Sequence, residues 1–398
     1  MDFDAQDEVT ALARRLVRTP SENPPGRESA VAEVLAGQAR AWGLEVTTQE
    51  IDDNRVNVVT RLPGTGSAPS LVYCGHLDTV PVGARRDWAE DPFGGVVRDG
   101  YLWGRGAVDM KGGLAAMLTS LAVLRFAGTE LPGDLVLCAV VGEEADCAGS
   151  RHLDGTDVLD DAGWLVVGEP TDLDLVVAHK GAVRVELVAH GMSAHGATPE
   201  LGVNAIEAVA RLVSAVRVLP ADVRPHPLLG SPSSSVNLIE GGTAVNVVPD
   251  LCRAVVDVRT IPGVDADVVL ASVKEGADRV MAAMPEVEIL VRVLHERAPV
   301  STSVDHPLVR ASQEAAVRTL GGRRPTRGVP YFSDASVLSP PRNLPTVLFG
   351  PGEEALMHKA NERVSTTDLH RATRFLSVLP TVLHGPDTGL PGGSAVGA

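Results

Sequence analysis

Residues 133–146 read GDLVLCAVVGEEAD: an apolar run that stops at a glycine, followed by two adjacent glutamates, Glu143 and Glu144. The run is short and aliphatic, as a buried strand is. Neighbouring carboxylates at the end of such a strand repel one another and lose hydration together, so either both turn into water or a cation offsets the cost. The same pattern recurs nearby. "SLVYC" (70–74) ends at Gly75-His76-Leu77-Asp78, and "GWLVV" (163–167) ends at Gly168-Glu169-Pro170. Between the first two lies "YLWGRGAVDMKGG" (101–113), which carries Asp109 and runs into "LAAMLTSLAVLRF" (114–126), a helix by length and spacing. Strands alternating with helices predict an α/β fold, a mostly parallel sheet flanked by helices. In such sheets functional groups gather beyond the carboxyl ends of the strands, where His76, Glu143, Glu144 and Glu169 all fall.

Working outward, residues 7–42 carry helical periodicity broken by the loop "TPSENPPGRES", and from about Lys180 the texture changes. "AVRVELVAH" (182–190) alternates as a strand. Thr198-Pro199 is read as opening a helix through "LGVNAIEAVARLVSAVRVL", with proline suited to a first turn. "SSVNLIEG" and "LCRAVVDVR" read as strands, 264–283 as a helix and "EVEILVRVL" as a last strand. That order, β-α-β-β-α-β, is ferredoxin-like. The expected organisation is a catalytic domain in two parts, 1–179 and 294–385, interrupted by an inserted α+β domain at 180–293. The tail 386–398, rich in glycine and proline, is expected to be disordered.

With 398 residues, two domains are the default. A formal charge of −16 disfavours nucleic acid or an anionic membrane surface as partner. The N-terminus begins with acids and reads as neither a signal peptide nor an anchor, and no run approaches the ~20 apolar residues of a membrane span. Cys74, Cys138, Cys147 and Cys252 lack paired spacing, which points to a reducing, cytoplasmic setting and away from a structural zinc site.

Mixed imidazole and carboxylate donors (His76, Asp78, Asp109, Glu143, Glu144, Glu169 and His358 of "ALMHKANE") suit zinc, cobalt or manganese. Each has a plainer reading alone: Asp109 could answer a helix dipole, and Glu143-Glu144 could be a solvated turn. Taken together, "GHLDTVP", "GRGAVDMKGG", "GEEADCAGS", "GEP" and "SAHGATPELGVNAI" resemble the dizinc metallopeptidase family that includes acetylornithine deacetylase, succinyl-diaminopimelate desuccinylase, aminoacylase and glutamate carboxypeptidase.

The resemblance implies two divalent ions, zinc first and cobalt or manganese as alternatives. His76 and Glu169 would bind one and Glu144 and His358 the other, with Asp109 bridging. Glu143 would be the general base and Asp78 would orient the His76 ring. Two cations contribute +4 against −3 from three ligand carboxylates, which answers the charge problem of the glutamate pair. The resemblance further implies that His195 stabilises the tetrahedral oxyanion, reaching across from a partner subunit in dimeric relatives. It implies that Arg259 and Asn246 hold the substrate's carboxylate or carbonyl. Gly350, in Gly350-Pro351-Gly352, could offer a backbone N–H. Arg259 has a bland alternative as a strand-surface ion pair. "YFSDAS" (331–336) departs from the glycine-rich loop of many relatives at Tyr331-Phe332, so substrate identity stays open. The expected activity is amide hydrolysis of an N-acyl amino acid. Peptide cleavage (carboxypeptidase or dipeptidase) and a non-catalytic binding role are the alternatives, and the inserted domain is the expected lid and homodimer surface.

Overall fold

The computed structural model describes residues 3–216 and 223–385. The tail 386–398 and the end of the run reaching Leu219 lie outside the described residues. Two compact units emerge. The first holds the described residues up to Val177, then Ser301–Arg327 and those from Ser333 onward. The second is Ala178–Val300 with Gly328–Phe332, so the insertion read as 180–293 corresponds to a longer segment that also recruits the "YF" of the departing loop.

In the first unit the strands Leu135–Val140, Ser70–His76, Ala162–Val167 and Thr346–Leu348 lie side by side and parallel. Cys74 stands level with Cys138 on one side and Val167 on the other, so the three strands end together. All are buried along their length or nearly so, which is why they read as unbroken apolar runs. Arg55–Leu62 adds antiparallel to Leu135–Val140, and Glu45–Asp52 pairs with it. This is the α/β fold expected, with a mainly parallel centre and antiparallel flanks. Helix Lys111–Phe126 is buried through most of its length and packs on Thr366–Leu383. Its N-cap position is Met110 and it has no side-chain cap, and glycines let its first turn lie against backbone: a Cβ on Gly113 would lie 2.2 Å from the Gly168 carbonyl oxygen.

The second unit is a four-stranded antiparallel sheet in the order Ser233–Gly241, Leu251–Thr260, Gly181–His190, Glu288–Arg297, with helices Ala205–Val216 and Ala266–Ala283. Val183, Val185, Leu187 and Ala189 alternate into one core with Cys252, Ala254, Val256 and Val258. Strand order and connection are those of a ferredoxin-like α+β unit. One expectation needs correction. Thr198-Pro199 opens only a 3-10 turn, Pro199–Leu201, and the α-helix begins at Ala205. Asn204 is the cap, its Oδ1 accepting from the N–H groups of Ile206 (3.0 Å) and Glu207 (3.2 Å).

Candidate active site

Because three parallel strands end at one level, the residues that follow them converge. His76 is the last residue of its strand, Glu143 and Glu144 follow Val140 after a short bend, and Glu169 lies two residues beyond Val167. Asp109 arrives from the loop before helix Lys111–Phe126, and His358 from a loop in which its own φ is +59°. Asp109 stands between two imidazoles. Its Oδ1 is 3.1 Å from His76 Nε2 and its Oδ2 is 3.1 Å from His358 Nε2. His358 Nε2 is also 3.1 Å from Glu144 Oε2, and His76 Nε2 is 4.0 Å from Glu169 Oε1. His76, Asp109 and Glu144 each offer a ligand atom within 4.8 Å of the others.

The His76 tautomer follows from its other nitrogen. Nδ1 lies 2.9 Å from the Asp78 main-chain oxygen and 3.5 Å from the Asp78 carboxylate, so an N–H there donates to the carbonyl, and Nε2 is the ring nitrogen directed at Asp109. The Asp78 carboxylate, expected to orient the His76 ring and lying 3.5 Å from its Nδ1, also holds backbone. Oδ1 accepts from the N–H groups of Gly142 (3.0 Å) and Glu143 (3.2 Å), and Oδ2 from Glu144 N–H (3.2 Å) and Asn23 Nδ2 (2.9 Å). Three consecutive amides of the glutamate turn thus close on one buried carboxylate. The far side of the turn winds about the Gly142 carbonyl, which accepts from Ala145, Asp146 and Cys147 N–H. Gly142 has φ +81°, a conformation glycine adopts without strain.

Charge in this pocket is strongly perturbed. Burial pushes the Glu143 and Glu169 carboxyls well above their usual range, and neighbouring carboxylates reinforce it. Burial opposes ionisation of Asp109 as well, but bonds to His358 and His76 outweigh it and its carboxyl falls below the ordinary value. Bonds to Asp109 and Glu144 lift His358 to about 10. Glu144 Oε1 is buried and accepts no hydrogen bond among the described residues. Two imidazoles, three carboxylates and a buried lone pair without a donor form a set that fits a divalent cation.

Two further carboxylates were not singled out in the sequence. Glu362, the last residue of "ALMHKANE", is fully buried. Its Oε1 accepts from Val108 N–H (2.8 Å) and Asp109 N–H (3.1 Å), and Oε2 pairs with Arg105 Nη1 at 2.6 Å. It fixes the backbone that presents Asp109. Asp334 is buried as well and accepts from Ser150 Oγ at 2.6 Å. Behind the ligands, His76 N–H donates to Met110 Sδ at 3.3 Å, and the Met110 methyl fills the space a Cβ on Gly75 (2.5 Å) or Gly168 (2.7 Å) would need.

The remaining candidates fall into two groups. Gly350 is a correction: its N–H donates to Thr171 Oγ1 at 3.2 Å, it is buried, and a Cβ there would meet the Gly168 and Glu169 oxygens at 2.5 Å. It closes the packing behind Glu169 and has no free amide for a substrate. His195, Asn246 and Arg259 belong to the second unit. His195 is exposed and its Nδ1 accepts from Ala197 N–H (3.0 Å), which puts the proton of the neutral ring on Nε2. It pairs with Val247 in a two-residue ladder, next to Asn246, whose carbonyl accepts from Gly196 N–H. Arg259 is half-buried and bonds Asp257 through Nε at 2.7 Å, with its guanidinium 5.9 Å from the Phe332 ring centre.

The chain is similar to known proteins over nearly its whole length. The probable succinyl-diaminopimelate desuccinylase of Staphylococcus epidermidis is 29% identical over 90% of this chain and 93% of its own length. The acetylornithine deacetylase of Pectobacterium carotovorum is 31% identical over 92% of this chain and 95% of that protein. Among solved structures, a tripeptidase from Staphylococcus aureus superposes with a TM-score of 0.77 at 25% identity, covering 96% of this chain and 99% of that one. The family model described as peptidase family M20/M25/M40 matches residues 72–380, well over half the sequence and inclusive of every converging ligand, and the chain belongs to that family.

Proposed function

We propose that this protein is a dinuclear metal-dependent amidohydrolase that cleaves the amide bond of an N-acyl amino acid. The observation that carries the reading is Asp109, one carboxylate set between two imidazoles, each of which has a second carboxylate beside it. His76 and Glu169 would hold one ion, Glu144 and His358 the other, and Asp109 both. Zinc is the first choice by donor type, with cobalt or manganese as alternatives. When bound, such a pair supplies Lewis acidity, polarising the amide carbonyl and lowering the pKa of an attacking water.

The chain's own groups do the rest. A Glu143 oxygen takes a proton from the attacking water and passes it to the leaving nitrogen. His195, whose Nε2 carries the proton, donates to the oxyanion that forms on the carbonyl. Arg259 presents a guanidinium edge not used by Asp257 to the substrate's carboxylate, and Asn246 assists beside His195. The second unit serves as lid and as the surface of a homodimer. The reading places a small-molecule substrate in the cytoplasm; no described helix is long and apolar enough to cross a membrane. The likeness to a tripeptidase favours a second reading, cleavage of a short peptide at the same site.

A panel of N-acetyl and N-succinyl amino acids and dipeptides, offered to zinc- or cobalt-replenished protein, separates the readings. Cleavage of dipeptides alone selects the second. Elemental analysis finding no retained ion after replenishment sinks both.

A further inference from the structure

The glutamate turn is gripped from inside by Asp78, and a second group holds its outer wall. Strand Arg55–Leu62 runs beside Leu135–Val140 with Val58 opposite Ala139, and the same register carried three residues further brings Arg55 opposite Gly142. Its guanidinium meets the Asp146 carboxylate twice, Nη2 to Oδ1 at 3.3 Å and Nη1 to Oδ2 at 3.4 Å, in the two-pronged geometry that fixes orientation as well as distance. Asp146 Oδ1 also accepts from Ala148 N–H at 3.1 Å, tying the fork to the start of the next helix. Behind the fork, Arg55 Nε is 3.5 Å from Oε2 of the fully buried Glu28, neither of whose oxygens accepts a hydrogen bond among the described residues. The space at Gly142 is filled by this group: a Cβ there would lie 2.1 Å from Arg55 Nη2 and 2.5 Å from Asp146 Oδ1.

We infer that Arg55 is a positioning residue for Glu143 and Glu144, clamping the outer wall of the 142–147 turn through Asp146 with Glu28 as its backstop. The inference rests on the reading of Glu143 as base and Glu144 as ligand. An ion pair that merely stabilised the fold would not require the guanidinium to lie over the one residue of the turn that lacks a side chain. With Asp78 on one side and Arg55 on the other, the two glutamates inherit a backbone with no freedom to tilt, and small tilts at a reacting carboxylate are costly.

The test uses the full chain loaded with zinc and its best substrate from the panel, with wild type, Arg55→Ala, Arg55→Lys, Asp146→Ala and the Arg55→Ala/Asp146→Ala double variant. Arg55→Ala is expected to lower kcat about tenfold or more with KM within about twofold, the signature of a lost transition-state arrangement. Amide exchange should rise in 142–147 and stay unchanged in Leu135–Val140. The double variant should be no slower than the worse single, Arg55→Lys should recover part of kcat, and added guanidinium ion should rescue Arg55→Ala but not Asp146→Ala. Unchanged kcat, single losses that multiply in the double, or exchange that rises throughout the strand would overturn the inference. If Arg55→Ala does not fold, Arg55→Lys and Asp146→Ala carry the same comparison. Glu143→Ala separates the two claims: full activity in that variant sinks the reading of the base, whereas an inactive Glu143→Ala beside a fully active Arg55→Ala sinks only the clamp.

Discussion

The residues assigned to chemistry come from two regions that are built differently. His76, Asp78, Asp109, Glu143 and Glu169 are all buried, and the backbone beneath several of them is itself hydrogen-bonded to a buried carboxylate: the glutamate turn to Asp78, the Asp109 amide to Glu362. His195 and Asn246 are exposed, on and beside a two-residue ladder, and are held by a few backbone bonds: Ala197 N–H to the His195 ring and Gly196 N–H to the Asn246 carbonyl. The first region spends buried polar groups on fixing geometry before any ligand arrives, as preorganised electrostatics requires. The second leaves His195 and Asn246 exposed, as the proposed contacts with a substrate would require. Changes in the first should therefore act on kcat and metal retention together, and changes in the second on the chemical step or on recognition with the metal retained.

Four substitutions probe that contrast, from the largest expected effect downward. Glu143→Ala should lower turnover about a thousandfold or more while elemental analysis still finds the metal of the parent. Loss of metal instead would mean that Glu143 and Glu144 have exchanged roles. Asp78→Ala strands three buried amides and should cost kcat about a hundredfold and weaken metal retention, the second readout setting it apart from Glu143. His195→Ala should slow the chemical step about a hundredfold with metal content intact, the typical cost of one oxyanion donor. Arg259→Ala should raise KM about tenfold for substrates with a free carboxylate and leave their amides nearly unaffected. An equal effect on both would reduce Arg259 to the ion pair with Asp257.

A smaller effect concerns stability. Burial, with Asp78 nearby, raises the Glu28 carboxyl from 4.5 to about 7 in the folded chain. The folded state thus binds this proton more tightly than the unfolded state, and stability falls as pH rises from about 4.5 through about 7. Glu28→Gln should therefore gain in Tm over wild type at pH 8 and gain less or nothing at pH 5. A difference in melting that is the same at both pH values would disprove the assignment.

Much of this was legible in the primary structure, and the boundary of what was not has a physical cause. His76, Glu143, Glu144 and Glu169 each lie at or just beyond the end of an apolar run, and period and punctuation reveal where a buried strand stops, so their convergence is legible locally, whereas Asp109 and His358 arrive from loops. The helix start was misplaced because proline at 199 is a strong local signal, whereas the Asn204 cap shows itself only through the amides it accepts. Gly350 looked like a free donor because nothing in its neighbourhood names Thr171, some 179 positions away. Arg55 and Glu362 escaped notice for the same reason: their partners lie 91 and 253 positions distant, and a lone charged residue in sequence does not announce what it will touch.

Met110 has a consequence of its own. One thioether occupies the slot left by Gly75 and Gly168 while its sulfur accepts a hydrogen bond from the His76 N–H. Met110 is fully buried, so oxidation to the polar sulfoxide would add an oxygen to this packing, against the ends of the two adjacent strands leading to His76 and Glu169. An oxidant acting on this one buried sulfur would reach His76 through its packing and its backbone amide and leave the imidazole itself unaltered.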